Sequence, residues 1–248
     1  MLLVDRGLVP TREKAQAYLM AGSVTVNGRR ELKAGTKVDI DADISLAEDP
    51  MPYVSRGGLK LEAAIDYWKI RLEKTVCVDI GASTGGFTDL MLKRGAAKVY
   101  SIDVGYGQLD YKLRTDIRVV NMEKTNIRLL DPAGFPEKAD FIAIDVSFIS
   151  LKLVLPVAAL LLNNTLSSRI ICLVKPQFEA ERAQVGKGGI VRDIGVHAEV
   201  LDRVRVYASD NGLLAEGEIE SPIRGTKGNQ EYLMLLRPST LTRAEDTV

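Results

Sequence analysis

The run Asp79-Ile80-Gly81-Ala82-Ser83-Thr84-Gly85-Gly86-Phe87 constrains this chain more than any other feature. It follows an apolar β-like stretch, Thr75–Ile80, and leads into a helical pattern over Phe87–Lys93. Small residues at such a turn let the backbone approach a ligand closely, and the helix N-terminus behind it supplies free N–H groups. A nucleotide-like cofactor is implied. The dinucleotide fingerprint wants glycine where this sequence has Ser83, which makes NAD the weaker reading. No phosphate-binding lysine pattern occurs either, because Gly186-Lys187 is followed by Gly188 instead of Ser or Thr. Asp103 ends the next β-like run, about twenty residues on, where a carboxylate can accept hydrogen bonds from both hydroxyls of a ribose.

Beyond this loop the pattern keeps alternating. Lys98–Asp103, Arg118–Met122, Phe141–Val146 and Arg169–Lys175 read as strands, and Leu151–Leu162 reads as one helix. Such alternation implies a largely parallel sheet covered by helices on both faces, an α/β fold. Val196, Val200, Leu201 and Val204 then recur at helical spacing, followed directly by strand-like Leu213–Ile219 and Glu231–Leu236. Two successive strands without an intervening helix must pair antiparallel if adjacent.

The first 49 residues read as a separate unit. Pro10 and Thr11 start a helix that continues through Ala15 to Met20, and Gly22 is placed to cap it. Val24 and Val26 alternate with polar residues up to Asn27-Gly28, a tight-hairpin signal, and Val38 with Ile40 suggests a further strand. An acidic run over Asp39–Asp49 and the turn Pro50-Met51-Pro52 close the unit. Up to Lys37 it carries seven basic residues, Arg6, Arg12, Lys14, Arg29, Arg30, Lys33 and Lys37, against Asp5, Glu13 and Glu31. That excess fits a basic face, with a solvated mixed-charge surface as the plain alternative. The formal net charge is zero, so any nucleic-acid binding must come from local clusters of this kind.

Composition excludes several classes. Cys77 and Cys172 sit in apolar runs and read as small core residues; two cysteines and one histidine, His197, make neither a metal cage nor a catalytic triad. No metal site is expected. The longest apolar stretch, Leu153–Leu162, is about half a bilayer span and contains Pro156. No secretory segment opens the chain, so the cytoplasm is the expected location and no membrane is expected as a partner.

Three further segments place a charge beside an apolar strand end: Asp145-Val-Ser-Phe148, Val174-Lys-Pro-Gln-Phe178 and Asn229-Gln-Glu-Tyr-Leu233. In an open parallel sheet the ligand crevice lies at the carboxyl ends of the strands, where Asp145 and Lys175 stand. Glu231 begins its strand instead, and reaches the same edge if that strand runs antiparallel. Each also has a plain reading: Asp145 as a helix cap, Lys175 as a solvated strand end, Glu231 as a partner of Arg224 or Lys227.

On these residues the sequence resembles the TlyA, or haemolysin A-like, family of ribosomal RNA methyltransferases. The resemblance spans nearly the whole chain. It rests on Gly22-Ser-Val-Thr-Val-Asn-Gly28, Tyr53-Val-Ser-Arg-Gly-Gly-Leu-Lys60, the Gly81–Phe87 loop, Asp145–Phe148, Val174-Lys-Pro-Gln-Phe-Glu179, Gly186-Lys-Gly-Gly189 and Ser221–Glu231. It implies an S4-like RNA-binding domain over 1–49, a linker over 50–58, a Rossmann-like, FtsJ-like methyltransferase domain over 59–240 whose last strand is antiparallel, and a tail over 241–248.

The resemblance further implies S-adenosyl-L-methionine as cofactor, bound by Asp79, Gly81, Ala82, Ser83, Gly85, Gly86, Phe87, Asp103 and Asp145. The implied catalytic tetrad is Lys60, Asp145, Lys175 and Glu231, acting on a ribose 2′-hydroxyl of ribosomal RNA within a ribosomal subunit. RNA contacts are expected from Arg6, Arg12, Lys14, Arg29, Arg30, Arg56 and Lys187. The chain departs from the family pattern in starting directly at its Leu-Leu-Val segment. Whether Lys175 takes the hydroxyl proton or a lysine-polarised oxygen does stays open at this level. A catalytically silent RNA-binding protein and a membrane-active haemolysin are the alternatives.

Overall fold

The computed structural model describes residues 2–9, 11–20, 23–31, 33–46, 52–225 and 227–239, with the side chains at 14, 17 and 20 excepted. The helix start at Pro10, the cap at Gly22, the turn at Pro50-Met51 and the tail lie outside the described residues, as does the Lys14 side chain. The chain divides by its packing into two units, Met1–Pro52 and Tyr53–Val248.

The first unit holds helices α1 (Leu2–Asp5) and α2 (Arg12–Met20) and strands β1 (Val24–Val26), β2 (Arg29–Glu31) and β3 (Ile44–Leu46). Asn27 and Gly28 both take positive φ, as a two-residue hairpin turn between β1 and β2 requires. Leu3, Val9, Ala15, Tyr18, Leu19 and Val24 form its core. The expected strand at Val38 and Ile40 is corrected: β1 pairs instead with Ile44–Leu46, and Ile40 is 76% exposed. The cause is local. Asn27 binds both backbone groups of Asp43, accepting its N–H at 2.9 Å and donating its own N–H to its carbonyl at 2.7 Å, which sets the register four residues later. Arg6 meanwhile donates to the carbonyls of Ile40 and, at 2.7 Å, Ala42, keeping them out of any ladder.

In the second unit, α3 (Gly57–Trp68) precedes β4 (Val76–Ile80), α4 (Gly86–Lys93), β5 (Lys98–Ile102), α5 (Tyr111–Arg114) and β6 (Val119–Met122). Then follow β7 (Phe141–Ile144), α6 (Leu155–Leu161), β8 (Arg169–Val174), α7 (Pro176–Glu179), α8 (Ile194–Ser209), β9 (Leu213–Glu220) and β10 (Tyr232–Pro238). The sheet order is β6-β5-β4-β7-β8-β10-β9. Strands β4 to β8 pair parallel, and β10 runs antiparallel to both β8 and β9. The α/β reading with an antiparallel last strand is therefore correct.

Strand alternation splits the interior into two cores. Val78, Ile80, Ile142 and Ile144 face Leu155, Ala158, Val200 and Val204 of α6 and α8. Cys77 and Ala143 face Leu61 and Ile65 of α3 and Leu90 and Met91 of α4. Burial pushes both thiols up to about 12, so Cys77 and Cys172 are unreactive packing residues, as expected. The single helix expected over Leu151–Leu162 is corrected to a 3₁₀ turn, Leu151–Leu153, followed by α6. Pro156 is the reason: it cannot sit inside a helix, and here it occupies the first turn of α6.

Because β5 and β6 lie on one side of β4 while β7 and β8 lie on the other, the chain switches direction at β4. Crevices for ligands open at the carboxyl ends of strands at such a point.

Candidate active site

The glycine loop leaves β4 exactly at that switch. Gly81 and Gly85 take φ of +87° and +96°, and a Cβ at Gly81 would overlap the carbonyl of Asp145. Glycine is therefore needed there on both counts. Gly81 and Ala82 donate their N–H groups to the Ile102 carbonyl at 2.9 and 3.1 Å, tying the loop to β5. Asp103 accepts the N–H of Ser83 at 2.8 Å through Oδ2 and that of Gly105 at 2.7 Å through Oδ1. Each oxygen keeps a lone pair for a further donor.

Asp79 is fully buried. Its Oδ2 accepts both the N–H (2.9 Å) and the hydroxyl (2.6 Å) of Thr88, whereas Oδ1 has no partner among the described residues. Burial raises its pKa from 3.8 to about 7, with Asp145 and Asp103 adding to the rise and Thr88 opposing it. Between about pH 4 and 7 the folded chain holds a proton here that the unfolded chain has lost, so this residue destabilises the fold progressively as pH rises through that window.

Lysine–carboxylate pairs stand beside the loop. Lys60 of α3 donates to Glu231 Oε2 at 2.6 Å, and Glu231 is only 3% exposed. Lys175, the residue just before α7, lies 2.5 Å from Asp145 Oδ1 and donates a well-directed hydrogen bond to Ser147 Oγ at 2.9 Å. Glu231 arrives through the antiparallel register. Tyr232 pairs with Val174, which sets the start of β10 beside the end of β8. Lys60, Asp145, Lys175 and Glu231 thus come together.

Three cavities adjoin here, sharing Gly81, Ser83 and Asp145 between them. One of about 500 Å³ runs past Asp103, Asn126 and Val146; one of about 230 Å³ lies between Asp79, Phe87 and Arg56; one of about 400 Å³ holds the two lysines. Arg56 is exposed at the middle cavity, while Lys187 stands exposed on the Gly186–Ile190 turn and lines none of the three. In the first unit Arg12, Arg29 and Arg30 are exposed, whereas Arg6 is engaged by the two carbonyls of its own unit.

Sequence reasoning missed several lining residues. Asn126 stood outside every motif, Ser55, Ser147 and Gln177 lay within quoted motifs but were given no role, and Arg224 was considered only as a partner for Glu231. Phe148 lay within a noted motif; it is 90% exposed, with φ of +63°, and its ring stands 5.1 Å from that of Phe178. His197 is a buried structural residue, bonded to Tyr232 Oη (2.8 Å) and the Val191 carbonyl (3.0 Å). Asn229 pins the same turn, accepting the Val191 N–H at 3.0 Å and donating to the Gly189 carbonyl at 2.8 Å.

The model of the FtsJ-like methyltransferases matches residues 53–237, and that of the S4 domain matches residues 1–44. The 16S/23S rRNA (cytidine-2′-O)-methyltransferase TlyA of Mycobacterium tuberculosis is 42% identical over 96% of this chain and 88% of its own length. The chain belongs to the TlyA family of FtsJ-like methyltransferases. Among other members, YqxC of Bacillus subtilis, provisionally named as an rRNA methyltransferase, is 50% identical over 95% of this chain and 84% of its own. A solved structure described as a hemolysin of Streptococcus thermophilus superposes with a TM-score of 0.76 at 45% identity, covering 99% of this chain and 89% of that one. In this TlyA-family chain no described helix is long and apolar enough to cross a membrane, and no described cluster of His, Cys, Asp and Glu is arranged to hold a metal ion.

Proposed function

We propose that this chain uses S-adenosyl-L-methionine to methylate a ribose 2′-hydroxyl of ribosomal RNA within a ribosomal subunit, in the cytoplasm, with Lys60, Asp145, Lys175 and Glu231 as catalytic residues. The observation that carries the reading is the Lys175–Asp145 ion pair facing the same cavity as the Lys60–Glu231 pair, directly beside the glycine loop.

The cavities fit the cofactor. Asp79 offers a buried, unpartnered carboxylate oxygen to an ammonium group, and Gly81 lines all three cavities with backbone held close against Asp145. Asp103 has lone pairs left for ribose hydroxyls, and Asn126 with Val146 lines the remainder of the large cavity. When bound, S-adenosyl-L-methionine supplies an electrophilic methyl group on a sulfonium.

The chain must bring the attacking oxygen into line with that methyl and guide away the hydroxyl proton. Lys175, held by Asp145 and Ser147, is positioned to polarise the hydroxyl and stabilise charge developing on its oxygen. As the hydroxyl proton departs, Lys175 passes one ammonium proton to the Asp145 carboxylate and takes the hydroxyl proton in its place. Lys60, fixed by Glu231, orients the ribose from the opposite side. Phe148 offers an exposed ring face to a base turned out of its stack.

Incubation of the purified chain with ribosomal subunits and methyl-labelled cofactor tests this reading. Label in the RNA supports it, and label only in protein or lipid contradicts it. Two further outcomes follow. Because an ammonium pairs with ionised Asp79, cofactor affinity should fall roughly tenfold for each pH unit below about 7, and Asp79→Asn should flatten that profile in calorimetry. A wild-type affinity independent of pH from 5.5 to 7.5, conditions chosen to bracket that value, contradicts the Asp79 assignment.

Arg12, Arg29 and Arg30 changed together to Ala should weaken RNA binding while sparing the methyl-transfer step. The log–log salt slope should become shallower by about 2 to 3, the amount lost with three phosphate contacts. An unchanged affinity and slope would remove these residues from the RNA interface.

A further inference from the structure

We propose that Gln177 reads the base of the target nucleotide, its side-chain amide pairing with the hydrogen-bonding edge of that base. The inference rests on the ribose-methylation reading above and adds to it the residue that chooses the nucleotide.

Gln177 lines the cavity of about 400 Å³ that also holds Lys60, Lys175 and Glu231. A nucleotide whose ribose lies at Lys175 has this space open to its base. The side chain of Gln177 makes no hydrogen bond among the described residues, and its Oε1 is shielded from solvent as well. Polar atoms in that condition are rare in folded proteins, because they have given up water and gained nothing in return. The two lysines nearest the proposed reacting centre are engaged: Lys175 by Asp145 and Ser147, Lys60 by Glu231. The Gln177 amide, by contrast, lines the cavity with its hydrogen-bonding capacity unused among the described residues.

Its position is also fixed with respect to the reacting centre. Lys175 directly precedes α7, and Gln177 is the second residue of that helix. Glu179 at the helix end accepts the Ser150 hydroxyl at 2.6 Å and the Leu151 N–H at 2.7 Å, which clamps α7 to the segment leading from Asp145. Gln177 is thus a ruler held at a set distance from Lys175. Phe178 beside it and Phe148, their rings 5.1 Å apart and tilted by 51°, give the cavity aromatic faces on which a base can stack with its edge left to polar neighbours.

An amide carries one acceptor and one donor side by side, the complement of a base edge with an amino group next to a ring nitrogen, or of an oxo group next to a ring N–H. Rotation about its last torsion selects which of the two it presents. A site built to hydrogen-bond one pattern discriminates strongly against a substrate that lacks it.

The test compares ribosomal RNA transcripts, assembled into subunits, that carry C, U, A or G at the mapped position. The wild-type chain should prefer one base over its amino-for-oxo counterpart by about tenfold or more in kcat/KM. Gln177→Leu should compress that preference to about threefold or less, with calorimetric cofactor affinity unchanged as proof of an intact fold. Gln177→Glu, which only accepts, should shift preference toward the base bearing an amino group. Full preference retained in Gln177→Leu, or no shift in Gln177→Glu, overturns the inference alone. A wild-type chain that methylates all four equally does the same. A wild-type chain that methylates none of the transcripts refutes the ribose-methylation reading, and this inference with it.

Discussion

Lys175→Ala is expected to slow methyl transfer by about 10²- to 10⁴-fold in single turnover while leaving cofactor affinity within about twofold. Lys175 touches Asp145 and Ser147 and faces the cavity shared with Lys60 and Glu231, away from the Asp103 end of the crevice. Its work falls on a hydroxyl whose charge changes only as the methyl moves, so its loss belongs to the chemical step and not to ground-state binding. Removing it also leaves Asp145 without its cation, with Oδ1 buried and no directed hydrogen bond. Lys175→Arg separates the two effects. It restores the positive charge next to Asp145 but cannot match a compact ammonium in a site 8% exposed. Stability near wild type with transfer still impaired is the expected pattern. Wild-type transfer rates in Lys175→Ala would remove this residue from the chemistry.

Gly81→Ala is expected to lose both cofactor binding and about 2 to 5 kcal/mol of stability. Two penalties act together at this position: a backbone at φ +87° that disfavours any side chain, and a Cβ that would overlap the carbonyl of Asp145. Relief requires moving either the loop or the end of β7, and the second choice carries Asp145 away from Lys175. Gly107→Ala is the control. Its φ of +67° is equally left-handed, but nothing lies within 4 Å of its added Cβ, so only the backbone cost of about 1 kcal/mol should appear. Thermal unfolding and calorimetry on both variants read the difference. Equal losses in the two would show that the close approach of Asp145 to the loop has no energetic weight.

How far the sequence led depends on whether a residue's role was local. The glycine loop and Asp103 were legible because strand, turn and helix are neighbours in the chain and each constrains the next. Glu231 was legible for a topological reason: two strands without a helix between them imply the antiparallel turn that puts it beside Val174 and Lys175. Lys60 was found only by family resemblance, since a lysine on an amphipathic helix reads like any surface lysine until Glu231 meets it from 171 residues away. Ser147 and Gln177 stood within quoted motifs but carry no charge, so nothing local gave them a role before the fold brought them to the cavity.

The misplaced elements have equally specific causes. Val38 and Ile40 alternate like a strand, but Asn27 bonds to Asp43 and Arg6 occupies the carbonyls at 40 and 42, so pairing slips to Ile44. Periodicity cannot see long-range side-chain bonds of that kind. Leu151–Leu162 is continuous in hydrophobicity, yet Pro156 forces a helix start just before it. Arg6, expected among the RNA-contacting residues, also binds the Ile40 and Ala42 carbonyls of its own unit, a contact that its charge does not announce.

The central claim, transfer of a methyl group to a ribose 2′-oxygen of ribosomal RNA, is tested most directly by mass spectrometry of nucleosides. Ribosomal subunits lacking the modification would be treated with the wild-type chain and isotopically labelled S-adenosyl-L-methionine, and their RNA digested to single nucleosides. The account predicts labelled 2′-O-methylribonucleoside, absent when Lys175→Ala replaces the wild type. Label on a nucleobase, or no label in RNA while protein or lipid becomes labelled, would contradict it.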